Sequence, residues 1–214
     1  WGQTAENVAK KYQITKKEQN EFAFNSHMKT VDAQKKKNFD NELIKINVND
    51  NFISADECVR PDTTLETLNQ LKPAFIENGS VTAGNSSPIT DGATALLVCS
   101  LEYAKKNKIE ILAKIRSIAV HGCEPDYMGL GPIGATNKAL KRSSLTMKDI
   151  GLVELNEAFA SQSIACVREL EIDEDKLNID GGAIAIGHPL GATGARITGK
   201  AASLLKREGV EFAL

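Results

Sequence analysis

His188 lies in a glycine-rich stretch, residues 181–194, and is flanked directly by Gly187 and Pro189. Glycine and proline at these places are typical of a sharp turn between a strand and a helix, where a side chain can face a ligand. Imidazole is the usual general base near neutral pH, so a histidine in such a turn could activate a nucleophile. The alternative is that the turn is purely structural and that His188 caps it. The glycine spacing matches neither a P-loop nor a dinucleotide-binding turn.

Two further stretches could add polar groups to the same site. Asn156 follows a short apolar run and precedes a predicted helix, so its amide could face a reacting oxygen or a water, or could instead cap that helix. Residues 83–87 are small and polar, and such a loop either lets backbone approach a ligand closely or is a simple turn. Together these stretches predict a site of backbone donors, one amide and one base, placed where strands lead into helices.

The four cysteines do not supply an obvious nucleophile. Cys99 and Cys123 are the nearest candidates, but neither lies in a glycine-lined or electropositive turn that would favour a thiolate. We therefore expect all four to be reduced thiols that pack in the interior as small apolar residues. The sequence has no CxxC pair and no histidine at zinc-ligand spacing, so no metal site is expected.

The composition is that of an ordinary globular protein. Of 214 residues, 42% are hydrophobic and 25% are charged, which excludes intrinsic disorder. A net charge of −2 gives no general attraction to nucleic acid or to an anionic membrane, so neither is expected as a partner. No run of about 18 apolar residues could span a bilayer, and the first residues lack the features of an export signal. A cytoplasmic location is the default, with mitochondria and peroxisomes left open.

Strand and helix patterns alternate along the chain, which predicts an α/β fold with crossover connections. Capping boxes at Thr15 and at residues 63–66 begin two helices, and Pro73 ends the second. The three lysines at 35–37 could clamp a phosphate, but a solvated helix end is favoured. Predicted helices span 15–37, 64–72, 93–98, 101–108, 133–142, 157–170 and 195–207, and predicted strands span 43–48, 111–115, 153–155 and 177–179.

These segments resemble the thiolase family. The resemblance is most specific at residues 156–159 (Asn-Glu-Ala-Phe) and at residues 181–196, which match the family's two signature stretches. It extends in the right order over nearly the whole chain, through residues 4–9, 60–64, 71–75, 81–87 and 128–132. It implies an acyltransferase that makes or thiolytically cleaves 3-ketoacyl-CoA through a cysteine-bound acyl intermediate.

The resemblance also implies roles for individual residues. His188 would activate the acylated cysteine and help to bind the thioester oxygen, and Asn156 would hold a water in the same oxyanion site. Coenzyme A thioesters are the implied substrates, with no metal and no covalently bound cofactor. The implied contacts are Arg60 with the nucleotide, Thr67, Ala83 and Ser87 along the coenzyme, and Met128, Ala158 and Phe159 in the acyl pocket.

The family architecture is an α/β fold of αβαβα layers, built from two similar halves, in a protein that forms homodimers or homotetramers. By the match, residues 1–79 are the end of a loop domain that covers the coenzyme. Residues 80–108 are the last element of the N-terminal half, and residues 109–214 are most of the C-terminal half. We expect a chain of this extent to expose a large apolar sheet face and to be insoluble or unfolded alone.

The family's two catalytic cysteines have no counterpart among these residues. The chain also lacks an initiator methionine and both ends fall within patterned sequence, so we expect it to be an internal piece of a longer protein that is inactive by itself. Two alternatives stay open. One is a ketosynthase-like condensing enzyme, although such enzymes lack the Asn-Glu-Ala-Phe stretch, and the other is a non-catalytic relative that binds acyl-CoA.

Overall fold

A computed structural model describes residues 1–214. Most of its regular structure is helical, and short 3₁₀ turns, including one at Pro125–Leu130, join the helices. The α-helices are α1 (Gly2–Lys11), α2 (Lys16–Lys35), α3 (Leu65–Gln70), α4 (Leu101–Lys106), α5 (Gly131–Ser143), α6 (Ala160–Leu170), α7 (Ala183–Ile186) and α8 (Leu190–Glu208). No helix has both the length and the apolarity needed to cross a bilayer.

Helix α2 begins as the sequence predicts. The Thr15 hydroxyl accepts a hydrogen bond from the backbone N–H of Glu18, and the Glu18 carboxylate accepts one from the N–H of Thr15. This reciprocal pairing satisfies two backbone donors at the helix start. Helix α3 is capped in the same manner by Thr64, with Thr67 in the third position, and ends before Pro73. The predicted capping box at 63–66 is therefore displaced by one residue.

The predicted strands are reduced to a hairpin and isolated bridges. Antiparallel strands β1 (Ile46–Val48) and β2 (Asn51–Ile53) form the one regular sheet. Elsewhere, Leu152 bridges Ala213 and Val153 bridges Leu177, both in parallel. These bridges preserve the parallel arrangement expected of an α/β fold, so the predictions at 153–155 and 177–179 are confirmed in position but not in extent.

Two predicted elements do not form. Residues 111–115 are not a strand, and residues 93–98 are not a helix. Alternating apolar residues become a strand only where a second backbone supplies hydrogen-bond partners, and no such backbone pairs with residues 109–124. Ile111, Leu112 and Ile115 accordingly have about half of their surface exposed.

The largest buried cluster lies between α5, α6 and the bridged segments. It contains seven buried residues, among them Leu140, Val153, Leu170 and Leu177. A second cluster joins α2 to α3, α6 and α7 through Ala23, Leu68, Ala160 and Ile184. Helix α2 therefore packs against α7 and against Gly181 and Gly182, which precede it in the glycine-rich stretch.

Candidate functional site

The backbone around His188 is fixed from both sides. Helix α7 ends at Ile186, and Gly187 then adopts φ = 99°, a conformation that side chains rarely allow. A Cβ atom at Gly187 would lie 2.3 Å from the Thr90 hydroxyl oxygen. That hydroxyl accepts a hydrogen bond of 3.1 Å from the backbone N–H of His188. Gly187 is therefore required both by its positive φ angle and because there is no room for a Cβ atom.

The two ring nitrogens of His188 have different partners. Nδ1 lies 2.7 Å from the Thr193 hydroxyl oxygen, and Nε2 lies 3.3 Å from Nδ2 of Asn156. The Thr193 hydroxyl donates to the carbonyl oxygen of Pro189 at 3.1 Å, so toward His188 it acts as the acceptor. We infer that Nδ1 carries the proton and that Nε2 presents a lone pair. His188 does not cap α8, whose N-cap residue is Pro189.

The surroundings keep the His188 ring neutral. Burial lowers the pKa of His188, and the positive charge of Arg196 lowers it further. A neutral imidazole with an unprotonated Nε2, here facing the Asn156 amide, is the state that a general base needs near neutral pH.

Asn156 is held by its neighbours rather than by a helix cap. The Asn178 side chain bonds both backbone groups of Leu155, at 2.8 Å each, and so fixes the residue before Asn156. Helix α6 begins four residues after Asn156 and has Phe159 as its N-cap, so the helix-cap interpretation is wrong. The Oδ1 atom of Asn156 is buried without a hydrogen-bond partner, which leaves an acceptor free for a water or a ligand.

A cavity of about 440 Å³ opens at this pair. Its walls are mostly apolar, and Asn156 and His188 supply polar groups to them. Such a space suits an apolar group that carries one polar reacting centre. Five of the sequence-predicted residues line this cavity: Met128, Asn156, Ala158, Phe159 and His188.

The other predicted residues lie outside the cavity. Arg60 and Ala83 are exposed, and the Thr67 hydroxyl is engaged in the cap of α3, where it donates to the Thr64 carbonyl oxygen at 2.9 Å. Ser87 lies closer, because its hydroxyl and its N–H both donate to the carbonyl oxygen of Ala158, a cavity residue. The structure places Ser87 against Ala158, behind the cavity lining, and leaves Arg60, Thr67 and Ala83 farther out.

The expectation that all four cysteines pack in the interior is wrong. All four are free thiols, but Cys99 and Cys123 are exposed rather than packed in the interior. Cys166 is buried, and burial raises the pKa of its thiol to about 11, which disfavours a thiolate. None of the four lines the cavity. No three His, Cys, Asp or Glu side chains come together in a way that could hold a metal ion.

Sequence reasoning missed four polar residues that surround the pair. Thr90 and Thr193 bind the backbone and ring of His188, and Glu154 and Glu157 lie buried on either side of Asn156 along the chain. Hydroxyl residues are too common to stand out in a sequence. Two glutamates in an otherwise apolar segment were a usable signal, because buried carboxylates are rare without a specific role.

Comparison with known proteins gives a consistent result along the whole chain. Residues 1–102 match the family model described as "Thiolase, N-terminal domain", and residues 109–214 match "Thiolase, C-terminal domain". A probable acetyl-CoA acyltransferase from Staphylococcus epidermidis is 50% identical over 91% of this chain and 51% of its own length. A 3-ketoacyl-CoA thiolase from Marinobacter nauticus is 46% identical over 97% of this chain and 56% of its own length.

Solved structures agree. Human mitochondrial 3-ketoacyl-CoA thiolase in complex with CoA superimposes with a TM-score of 0.96 at 44% identity, over 99% of this chain and 53% of that one. Acetyl-CoA acetyltransferase from Bacillus anthracis gives 0.94 at 42% identity, over 99% of this chain and 55% of that one. These scores confirm the predicted fold class. The chain spans about half the length of the curated relatives that it matches.

Proposed function

The chain belongs to the thiolase family, and from this premise we propose that it forms part of an acyltransferase acting on 3-ketoacyl-CoA. The reaction is the joining of two acetyl-CoA molecules to acetoacetyl-CoA and CoA, or the reverse thiolysis in fatty-acid degradation. The observation that carries this proposal is the pairing of His188 with Asn156 at the edge of an apolar cavity.

In this reaction His188 is the base. In the synthetic direction its unprotonated Nε2 accepts the proton of a cysteine thiol, and the resulting thiolate attacks the thioester carbonyl carbon of acetyl-CoA. The bond from that carbon to the CoA sulfur then breaks, and CoA leaves as the thiol with the proton that His188 returns. The Thr193 hydroxyl keeps the proton on Nδ1 and so keeps Nε2 available. No cysteine of this chain lines the cavity, so the nucleophile would come from outside these 214 residues.

The Asn156 amide interacts with the oxygen atom of the same carbonyl group. When the thiolate attacks, negative charge develops on that oxygen, and the Asn156 amide stabilises it directly or through a water held at its free Oδ1. Fixed donors at such a position are worth several kcal/mol in the transition state.

Coenzyme A would bind along the surface beside the cavity. An exposed guanidinium at Arg60 suits the phosphates of the nucleotide, and Thr67, Ala83 and Ser87 would follow the rest of the molecule toward the reacting centre. The acyl group would enter the cavity beside Met128, Ala158 and Phe159. The relative solved with CoA supports this choice of ligand.

The organisation of the whole protein also belongs to this proposal. We assign residues 1–79 to a loop domain over the coenzyme, 80–108 to the end of the N-terminal half, and 109–214 to the C-terminal half. The assembled protein would be a homodimer or a homotetramer, and light scattering would measure its mass. A cytoplasmic location is the working assumption.

Thiolysis of acetoacetyl-CoA tests the proposed function. Intact mass spectrometry comes first, because a mass above 23.1 kDa shows that further residues, and possible nucleophiles, are present in the sample. In such a protein we expect His188→Asn to abolish turnover and Asn156→Ala to lower kcat by about 100-fold. The matched control is His121→Asn, because His121 is exposed and lies outside the cavity.

Three outcomes would count against the proposal. Equal loss of activity in the His121 and His188 variants would show a general effect on folding. Full activity of the His188→Asn variant would show that His188 is not the base. Binding of CoA without any turnover in a protein longer than this chain would favour the non-catalytic acyl-CoA-binding relative.

A further inference from the structure

A buried carboxylate lies directly beside the Asn156–His188 pair and has no part in the reaction described above. Glu157 follows Asn156 in the chain, and only 2% of its surface is exposed. An ionised carboxylate can accept several hydrogen bonds, and burying it without them is costly. The hydrogen-bond partners of Glu157 therefore identify the segments that this side chain holds together.

Glu157 accepts hydrogen bonds from three separate parts of the fold. The Ser26 hydroxyl of α2 donates to Oε2 at 2.6 Å, and the backbone N–H of Ile184 in α7 donates to the same oxygen at 3.1 Å. The Asn178 amide donates to Oε1 at 2.9 Å. Burial raises the pKa of Glu157 above its ordinary value, and the hydrogen bonds from these three donors oppose that shift by favouring the carboxylate form.

Each of these partners also contacts or belongs to a segment that carries Asn156 or His188. Asn178 also bonds the N–H and carbonyl of Leu155, and so fixes the residue before Asn156. Ile184 belongs to α7, the short helix that ends two residues before His188. Ser26 accepts the N–H of Gly182 at 3.2 Å and thereby holds the start of the same turn.

The glycine-rich turn is shaped around this carboxylate. A Cβ atom at Gly182 would lie 2.2 Å from the carboxyl carbon of Glu157, so only glycine lets the turn approach so closely. Close approach of this kind makes the position of α7 depend on the position of the Glu157 side chain.

We propose that Glu157 is a positioning residue that sets the distance between Asn156 and His188 by tying α2, residue 155 and the glycine-rich turn to one buried carboxylate. This inference rests on the proposed function, because it assigns the pair its catalytic role. Glu157 touches no substrate. It acts through the two residues that do, and its loss should change the geometry of the pair without removing either side chain.

The test uses the intact protein that carries this chain, with the variants Glu157→Gln and Glu157→Asp. Gln offers an amide group to a site of donors, so one hydrogen bond is lost. We expect kcat for thiolysis to fall between about 10- and 100-fold, as misplacement of catalytic groups typically does, with the KM for CoA changed less than about twofold. Asp keeps the charge on a shorter side chain and should give an intermediate kcat.

Ser26→Ala is the second variant, and it keeps the test decisive if Glu157→Gln does not fold. It removes one donor to Glu157 and the acceptor of the Gly182 N–H, so kcat should fall in the same direction by a smaller factor. Ser163→Ala is the matched control, because the buried Ser163 hydroxyl has no hydrogen-bond partner. We expect this control to keep the kcat of the original protein.

A second readout separates positioning from simple stability. Carbon-13 labelling of the histidine rings gives one signal for His188, identified by its loss in His188→Asn. We expect Glu157→Gln to move the titration midpoint of that signal upward, because a ring without its fixed neighbours is better solvated, and to leave the His121 signal unchanged. This readout does not need thiolase activity, so absence of turnover in the original protein would overturn the proposed function and still leave the inference testable.

A folded Glu157→Gln protein with unchanged kcat and an unchanged His188 midpoint would overturn the inference. So would a lower melting temperature as the single effect, since a purely structural carboxylate predicts that outcome.

Discussion

Among single residues, Glu154 is the charged group that fits its surroundings least well. It lines the cavity, it is buried, and its Oε1 atom has no hydrogen-bond partner. Burial raises the pKa of Glu154 to about 8, although the positive charges of Lys200 and Arg196 oppose the shift. The carboxyl therefore carries a proton in the folded protein at a pH where it has lost that proton in the unfolded chain.

This shift predicts a pH-dependent cost to stability. Because the pKa of Glu154 in the folded state lies above its ordinary value of 4.5, its favourable contribution is present below pH 4.5 and is lost as the pH rises toward 8. We expect Glu154→Gln to stabilise the intact protein increasingly over this window, by at most about 1.4 kcal/mol per pH unit. Urea unfolding at several pH values measures it, with the exposed Glu211→Gln as the control. A difference between Glu154→Gln and the original protein that does not vary with pH would contradict the assignment.

The sequence identifies the residues at the proposed reacting centre better than those that support them. His188 and Asn156 could be selected because a histidine between glycine and proline, and an amide at a strand end, are uncommon combinations. Thr193 could not, because its role depends on which way its hydroxyl donates. Glu157 could not, because its three partners lie up to 131 residues away in the chain.

At the scale of elements, α2 links the two ends of the proposed site. Ser26 on this helix bonds the Glu157 carboxylate, and the next residue, His27, faces the loop that carries Arg60. The Nδ1 atom of His27 accepts the backbone N–H of Arg60 at 3.3 Å. A single helix thus touches both the loop that carries Arg60, a proposed coenzyme contact, and the Glu157 carboxylate behind the glycine-rich stretch.

The contact between His27 and Arg60 predicts a pH effect on coenzyme binding. Burial lowers the pKa of His27, the charge of Arg60 lowers it further, and Asp62 opposes both. The neutral ring's contribution to stability is therefore complete above the ordinary value of 6.5 and is lost as the pH falls below it. A protonated ring no longer accepts the Arg60 N–H and repels the guanidinium. We expect the KM for CoA to rise several-fold as the pH is lowered from 7.5 through the depressed pKa of His27.

His27→Gln provides the matched comparison, since a glutamine can keep an acceptor for the Arg60 N–H and does not titrate. The rise in KM should be largely absent in this variant. An equal rise in both proteins would place the pH dependence on another group.

Local signals predicted most of the helices and little of the sheet, although α1 and α7 were not predicted and the predicted helix at 93–98 does not form. The capping box at Thr15 predicts the start of α2 because all of its atoms lie within four residues. The glycines at 191 and 194 obscured the first turn of α8, which begins at Leu190, five residues before the predicted start. Whether residues 111–115 become a strand depends on a distant backbone, and no local pattern contains that information.

For the molecule as a whole, the distribution of apolar surface is uneven. Large hydrophobic side chains are exposed in two segments, residues 96–101 and 111–120, with Leu97 at 71%, Ile118 at 77% and Val120 at 86% exposure. The same segments overlap the two predicted elements, at 93–98 and 111–115, that do not form. Surfaces of this kind are normally covered in a stable protein, and free in solution they promote association between molecules.

We therefore expect the 214-residue polypeptide, produced alone, to aggregate or to bind a hydrophobic dye strongly. Leu97→Lys combined with Ile118→Lys should lower both dye binding and the aggregated fraction, because each change places a charge on an exposed apolar segment. Ile44→Lys is the control, since Ile44 is equally exposed but precedes the β1–β2 hairpin and lies outside these segments. Dye fluorescence and light scattering measure the outcome. A sharp cooperative melt of the original polypeptide, without dye binding, would show that it folds independently and that its apolar segments need no cover.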